Sequence, residues 1–151
     1  MARITSDYQD TSIEAVSEGP YHGKVKKIAL QPLKPGKQWQ SIRVDLSLRL
    51  PADQAAKALA DGSYPLVDFI SLAPQAGWKL EEFLIAAGGV VGVNYHKKEL
   101  GEKKFTLEWD TVDFDGRDVL VLVSVGPERN SDGSPKVGGR IMNQVESYTK
   151  P

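Results

Sequence analysis

The sequence predicts a mostly-β fold, a five-stranded Greek-key barrel with one main helix between its third and fourth strands. Three observations lead there. Apolar and polar residues alternate strictly over residues 41–50, Pro and Gly pairs punctuate further short apolar runs, and one apolar stretch, residues 78–87, has near-helical spacing. A chain of 151 residues with 40% hydrophobic composition can bury one core but has little material for two. It divides into residues 1–18, expected to be a loosely ordered N-terminal arm of acids, Ser and Thr, and residues 19–151, a single β domain.

The elements follow in order. Tyr21, Gly23 and Val25 share one face of an extended segment, and Ile28 and Leu30 resume the pattern after a one-residue phase shift at Lys26-Lys27, the mark of a bulge. Gln31 to Trp39 holds two prolines and a Pro-Gly pair, so it is a turn with a basic tip. Ile42, Val44, Leu46, Leu48 and Leu50 then alternate with Ser41, Arg43, Asp45, Ser47 and Arg49, giving a half-buried antiparallel strand that forms a hairpin with the first. Residues 52–60 are Ala-rich and end at Asp61-Gly62, which predicts a short extra helix. A third strand spans residues 66–72.

Trp78, Leu80, Phe83, Leu84 and Ala87 describe one apolar face of the main helix, ending at Gly88-Gly89. Phe105, Leu107 and Trp109 alternate with polar partners in a fourth strand, residues 119–125 form a fifth, and Asp115-Gly116 supplies a hairpin turn between them. A polar loop, residues 126–139, precedes an added C-terminal strand over residues 141–148. This is the element order of the five-stranded oligonucleotide/oligosaccharide-binding (OB) barrel. A β-sandwich is the structural alternative.

Catalytic chemistry is not expected. The chain has no cysteine, and its two histidines, His22 and His96, sit in no metal-ligand spacing. Asp110, Asp113, Asp115 and Asp118 could hold a hard cation, but Asp115-Gly116 is explained by its turn and the group lacks the pattern of a calcium loop. The glycines of residues 126–139 lack the order of a phosphate cradle. The reading is therefore a non-enzyme with no cofactor, no metal and no apolar run long enough to span a bilayer.

Charge is segregated although the net charge is only -1. From Pro20 to Leu50 seven cations (Lys24, Lys26, Lys27, Lys34, Lys37, Arg43, Arg49) face one anion, Asp45, a local charge of +6. From Phe105 to Asp118 one cation faces five anions, a local charge of -4. A basic hairpin with an aromatic residue, Trp39, beside its turn combines the two devices that hold single-stranded nucleic acid, cations along the phosphates and a ring for base stacking. Tyr95, His96, Lys97 and Lys98, with Lys103 and Lys104, form a second basic-aromatic cluster. The candidate nucleic-acid-binding residues are thus Lys24, Lys26, Lys27, Lys34, Lys37, Trp39, Arg43, Arg49, Tyr95, Lys97 and Lys98. Lysines along a strand edge also guard against aggregation, and Trp39 and Trp109 also suit a partly buried core role.

Gly19-Pro20-Tyr21 opening a strand, the helix Gly77-Trp78-Lys79-Leu80-Glu81-Glu82-Phe83-Leu84-Ile85-Ala86-Ala87-Gly88, the late Val125-Gly126-Pro127 and Asn143-Gln144-Val145 resemble small bacteriophage OB-fold single-stranded DNA-binding proteins of replication and recombination modules. The resemblance implies a protein that coats single-stranded DNA in the cytoplasm of a bacterial host. The partners to expect beside the DNA are a phage recombinase, nuclease or polymerase, and a second copy of the chain in a homo-oligomer. Two other functions stay open: a phage structural or protein-interaction module, such as a virion component or host-factor inhibitor, and a small-ligand-binding barrel.

Overall fold

The computed structural model describes residues 2–6, 13–130 and 133–151. Its elements are β1 (Gly19–Leu30), β2 (Ser41–Arg49), β3 (Tyr64–Ser71), α1 (Gly77–Ala86), β4 (Tyr95–Gly101), β5 (Lys104–Trp109), β6 (Asp118–Pro127) and β7 (Ile141–Thr149), with 3-10 turns at Ala52–Lys57, Pro74–Ala76 and Thr111–Phe114. Five strands make one antiparallel sheet in the order β3-β2-β1-β6-β7, and β4-β5 is a separate two-stranded hairpin. Among the described residues no helix is long and apolar enough to cross a membrane.

Alternation sets the inner face. Ile42, Val44, Leu46 and Leu48 of β2 are all buried, as are Tyr64, Leu66 and Ile70 of β3 and Val119, Val121 and Val123 of β6. In β1 the buried set Tyr21, Gly23, Val25 changes phase to Ile28 across a register shift between Val25 and Lys27, so the expected bulge is present. It is held by two backbone hydrogen bonds, Val25 N to Arg117 O (2.8 Å) and Gly116 N to Val25 O (2.7 Å). Gly23 permits close packing there, because a Cβ would lie 3.1 Å from Val121 Cγ2 and 3.2 Å from Leu48 Cδ2. α1 covers the inner face with Leu80, Phe83, Leu84 and Ala86.

The sheet curls so that its edges β3 and β7 approach each other, but no backbone ladder joins them. Closure by strand pairing, expected for a barrel, is thus not found. Side chains bridge the seam instead: Tyr148 Oη donates to Asp68 Oδ2 (2.6 Å), and the Tyr64 hydroxyl lies within donating range of both Glu14 O (2.7 Å) and Asn143 Oδ1 (3.0 Å). α1 lies along it, with the Phe83 and Tyr148 rings edge to face at 5.0 Å and Glu82 Oε1 accepting from Tyr148 N (2.9 Å).

Three further expectations are corrected. The strand holding Phe105, Leu107 and Trp109 does not pair with residues 119–125 through an Asp115-Gly116 hairpin. Its partner is β4, while β6 pairs with β1 and β7, so the supposed extra C-terminal strand is a full member of the sheet. The reason is Phe114, which the 3-10 turn Thr111–Phe114 drives into the core, turning the chain away from β5 and toward the β1 bulge. The helix expected over residues 52–60 is a 3-10 turn, Ala52–Lys57. Trp78, assigned to the inner face of α1, is 64% exposed, because it falls on the opposite side of the helix from Leu80 and Leu84.

Of the N-terminal arm, residues 1 and 7–12 lie outside the described residues. Val16 is buried, and the Asn143 side chain brackets its backbone with two 2.8 Å hydrogen bonds. Buried Gln54 accepts from Ser17 N (2.7 Å) and donates to Tyr21 Oη (2.6 Å), which donates in turn to Ser17 O (2.6 Å). The segment leading into β1 is therefore packed from Val16 onward.

Candidate nucleic-acid interface

The outer face of β1, β2 and β3 carries the residues of opposite parity to the core. Cross-strand register places them in rows: Ala29, Arg43 and Phe69; Lys27, Asp45 and Val67; Lys24, Ser47 and Pro65; His22 and Arg49. The bulge leaves both Lys26 and Lys27 exposed where a regular strand would turn one of them inward. Lys24, Lys26, Lys27, Arg43 and Arg49 thus share one surface. The opposing charges near them are Asp45, whose Oδ1 accepts from Arg43 Nε at 2.8 Å, Asp118, opposite Lys24, and Asp61, which shares a cleft with Lys24, Lys26 and Arg49. Both partners of the Arg43–Asp45 pair are solvent-exposed, so it holds the guanidinium only weakly and leaves it available.

Phe69 is the residue that sequence reasoning missed. It is 52% exposed on the outer face and sits beside Arg43, with Val67 two positions earlier on the same parity. The signal was present as Pro65, Val67, Phe69 and Ser71. It was hidden because both parities of residues 66–72 carry large apolar residues and the inward one also carries Asp68, so alternation does not tell which parity faces the core.

Three clefts border this surface. One of about 520 Å³ is lined by His22, Lys24, Lys26, Ser47, Arg49 and Asp61, among others. Asp61 accepts from the Ser63 hydroxyl (2.6 Å) and Ser63 N (3.0 Å), which hold its carboxyl below the usual value and keep it an anion at the rim. A smaller one of about 310 Å³ lies between Lys26, Arg43, Ser47, Pro65 and Val67. The third, about 700 Å³, opens between the β3 and β7 edges and places Val67 and Phe69 across from Arg140, Ile141 and Met142.

Two loops flank the face. In the β1–β2 loop, Lys37 N donates to Lys34 O (3.1 Å) around Pro35 and Gly36, whose φ of 79° is the conformation that a Pro-Gly turn requires. This presents Lys34 and Lys37 to solvent with Trp39 half exposed at 51%. The β6–β7 loop brings Arg129, Lys136 and Arg140. Glu128 organises it, accepting from Arg140 N (3.2 Å) and Lys136 Nζ (3.3 Å), contacts that hold its carboxyl below the usual value.

The second basic-aromatic cluster is placed differently. Tyr95 is buried, with its Oη 3.1 Å from Glu81 Oε2, and burial together with that carboxylate pushes its hydroxyl up. Lys97 pairs with Glu81 at 3.0 Å and lies over the Phe105 ring at 4.5 Å. Of the three residues taken from this cluster, only Lys98 is unengaged and exposed among the described contacts, and all three sit on the hairpin that packs on α1. Tyr95 therefore cannot stack on a base, because its ring is a strut between hairpin and helix.

No protein-family model and no curated protein matches the chain. The acidic group of residues 110–118 is structural where it is engaged: Asp110 Oδ1 caps its own turn by accepting from Val112 N (3.1 Å). Among the described residues no three His, Cys, Asp or Glu side chains are grouped as metal ligands would be.

Proposed function

We propose that the protein is a non-enzymatic single-stranded DNA-binding protein of a phage replication or recombination system, and that its fold is an OB-type barrel. Support for the fold is the sheet order β3-β2-β1-β6-β7, with α1 between β3 and the next strand of that sheet and the β3 and β7 edges facing each other. The β4-β5 hairpin is then an insertion. In such a barrel the face of the second and third strands and the loops after the first and fourth strands form the binding groove. Here these are the β2–β3 face and the loops of residues 31–40 and 128–140.

The observation that carries the reading is Phe69, an exposed ring beside an available guanidinium in the middle of a basic sheet face. A base stacks on the ring while its phosphates run along Lys24, Lys26, Lys27 and Arg43. The test is a titration with a fluorescent oligonucleotide at two salt concentrations, with duplex DNA as competitor. Binding that weakens steeply with salt and prefers the single strand is expected. Equal affinity for duplex, or no binding at low salt, would overturn the reading and favour a protein-interaction module.

A further inference from the structure

We propose that the free edge of β5 receives an extended peptide from a partner protein, one that alternates bulky apolar side chains with carboxylates. β4 and β5 form a sheet of their own, so among the described residues one edge of β5 has no strand beside it. Nothing among the described residues outside β4 hydrogen-bonds to the backbone of residues 104–109. That edge borders a groove of about 690 Å³. Lys104, Phe105, Thr106 and Leu107 line it in succession, whereas residues 95–99 of β4 take no part in its walls. Successive residues of a strand point to opposite faces, so four in a row share a cleft only where the strand presents its edge to it.

The opposite wall is apolar, made by Leu72, Ala73 and Pro74 with Leu80 of α1. Phe105, Leu107 and Trp109 are only half buried against it, and Leu100 stands 56% exposed at the rim. An edge that offers both unpaired backbone groups and apolar side chains is suited to strand addition, in which main-chain hydrogen bonds hold the peptide and alternate side chains select it. Charge selects the rest of the partner. Lys103 and Lys104 are exposed at the mouth with no carboxylate in ion-pairing range among the described residues. Lys103 adopts φ of 58°, rare for a residue with a side chain, in the tight turn that ends the hairpin, and it lines the groove together with Lys104. The peptide therefore directs apolar side chains inward and a carboxylate toward these lysines at the hairpin end, away from Glu108, which shares the outward face of β5 with Lys104.

The surface is separate from the proposed DNA face and the proposal does not depend on it. The probe is a synthetic heptapeptide, acetyl-Asp-Leu-Asp-Phe-Asp-Leu-Asp-amide, titrated calorimetrically into the full chain. Two N-methylated versions accompany it, one methylated on the apolar residues and the other on the aspartates. Neighbouring N–H groups of a strand point to opposite edges, so one version is expected to bind like the parent and the other to fail. Changing Lys103 and Lys104 together to Glu should weaken the parent peptide by roughly tenfold or more, with the circular dichroism spectrum unchanged. Absence of binding by the parent peptide at about millimolar concentration, equal binding of both methylated versions, or equal binding of a Lys-for-Asp peptide would each overturn the proposal.

Discussion

Phe69 and Asp68 are neighbours on β3 with opposite fates, one exposed beside Arg43 and the other buried at the seam. For the first, Phe69→Ala is expected to cost about 1 to 3 kcal/mol of oligonucleotide affinity while leaving the salt dependence unchanged, since no charge is removed. Fluorescence titrations across a salt series check both parts, and a changed slope would show that the ring does not act by stacking. Asp68 gives a pH dependence. Burial pushes its carboxyl above the ordinary 3.8, outweighing the Tyr148 hydroxyl, Lys79 Nζ at 3.8 Å and the Phe69 backbone. The folded chain thus binds this proton more tightly than the unfolded one. Its contribution to stability grows as pH falls through the raised value, levels off near 3.8, and is lost again as pH rises. Asp68→Asn keeps the shape and an acceptor for Tyr148. Its urea midpoint should therefore vary less with pH than that of the wild type between about pH 4 and neutrality.

At the scale of elements, β1 and β2 carry both the core and the proposed face, and the two can be separated by parity. Leu46→Ala, on the inner parity, should destabilise the fold by about 2 to 5 kcal/mol in denaturant unfolding, because the site is fully enclosed. Neutralising Lys24, Lys26, Lys27 and Arg43, on the outer parity, should leave that stability nearly unchanged. It should flatten the salt dependence of oligonucleotide binding, as fewer counterions are released. The legibility of these elements in the sequence follows the same division. β2 was readable because every inward residue is aliphatic, and the bulge because the apolar positions change phase at two adjacent lysines, one of which a regular strand would turn inward. β4 was not, because only Tyr95 of its residues is buried and the rest read as a polar loop. β5 was visible as a strand but not in its pairing, since alternation gives the faces of a strand and says nothing of its partner. Lys34, Lys37 and Trp39 fell where the Pro-Gly turn implied; Tyr95 and Lys97 did not, because Glu81, which engages both, lies on an element remote in sequence.

For the molecule as a whole, the seam between β3 and β7 depends on tyrosine hydroxyls. Burial, then the Asp68 carboxylate, pushes the Tyr148 hydroxyl far above its ordinary value of 10.0, and burial also raises Tyr64. A tyrosine raised by folding contributes its full stability below the unfolded value. That stability declines as pH rises above about 10, where the unfolded chain ionises and the folded one does not. Alkaline difference absorbance should show a class of tyrosines that titrates only together with the loss of the circular dichroism signal. In Tyr148→Phe that class should be smaller.

A seam fastened by side chains and not by a ladder also divides the backbone into two kinetic populations. β1 has a strand on each side, so its amides become free only when neighbouring strands separate. β3 and β7 each have a strand on one side, and their facing edges are joined only through side chains, the two tyrosines together with Phe83 and Glu82 of α1, so they can part with every ladder bond left in place. In deuterated water the central strand should retain its protons to the limit set by global unfolding. The outward amides of β3 and β7 should exchange sooner, and a ligand lodged between Phe69 and Met142 should slow exchange there without altering β1.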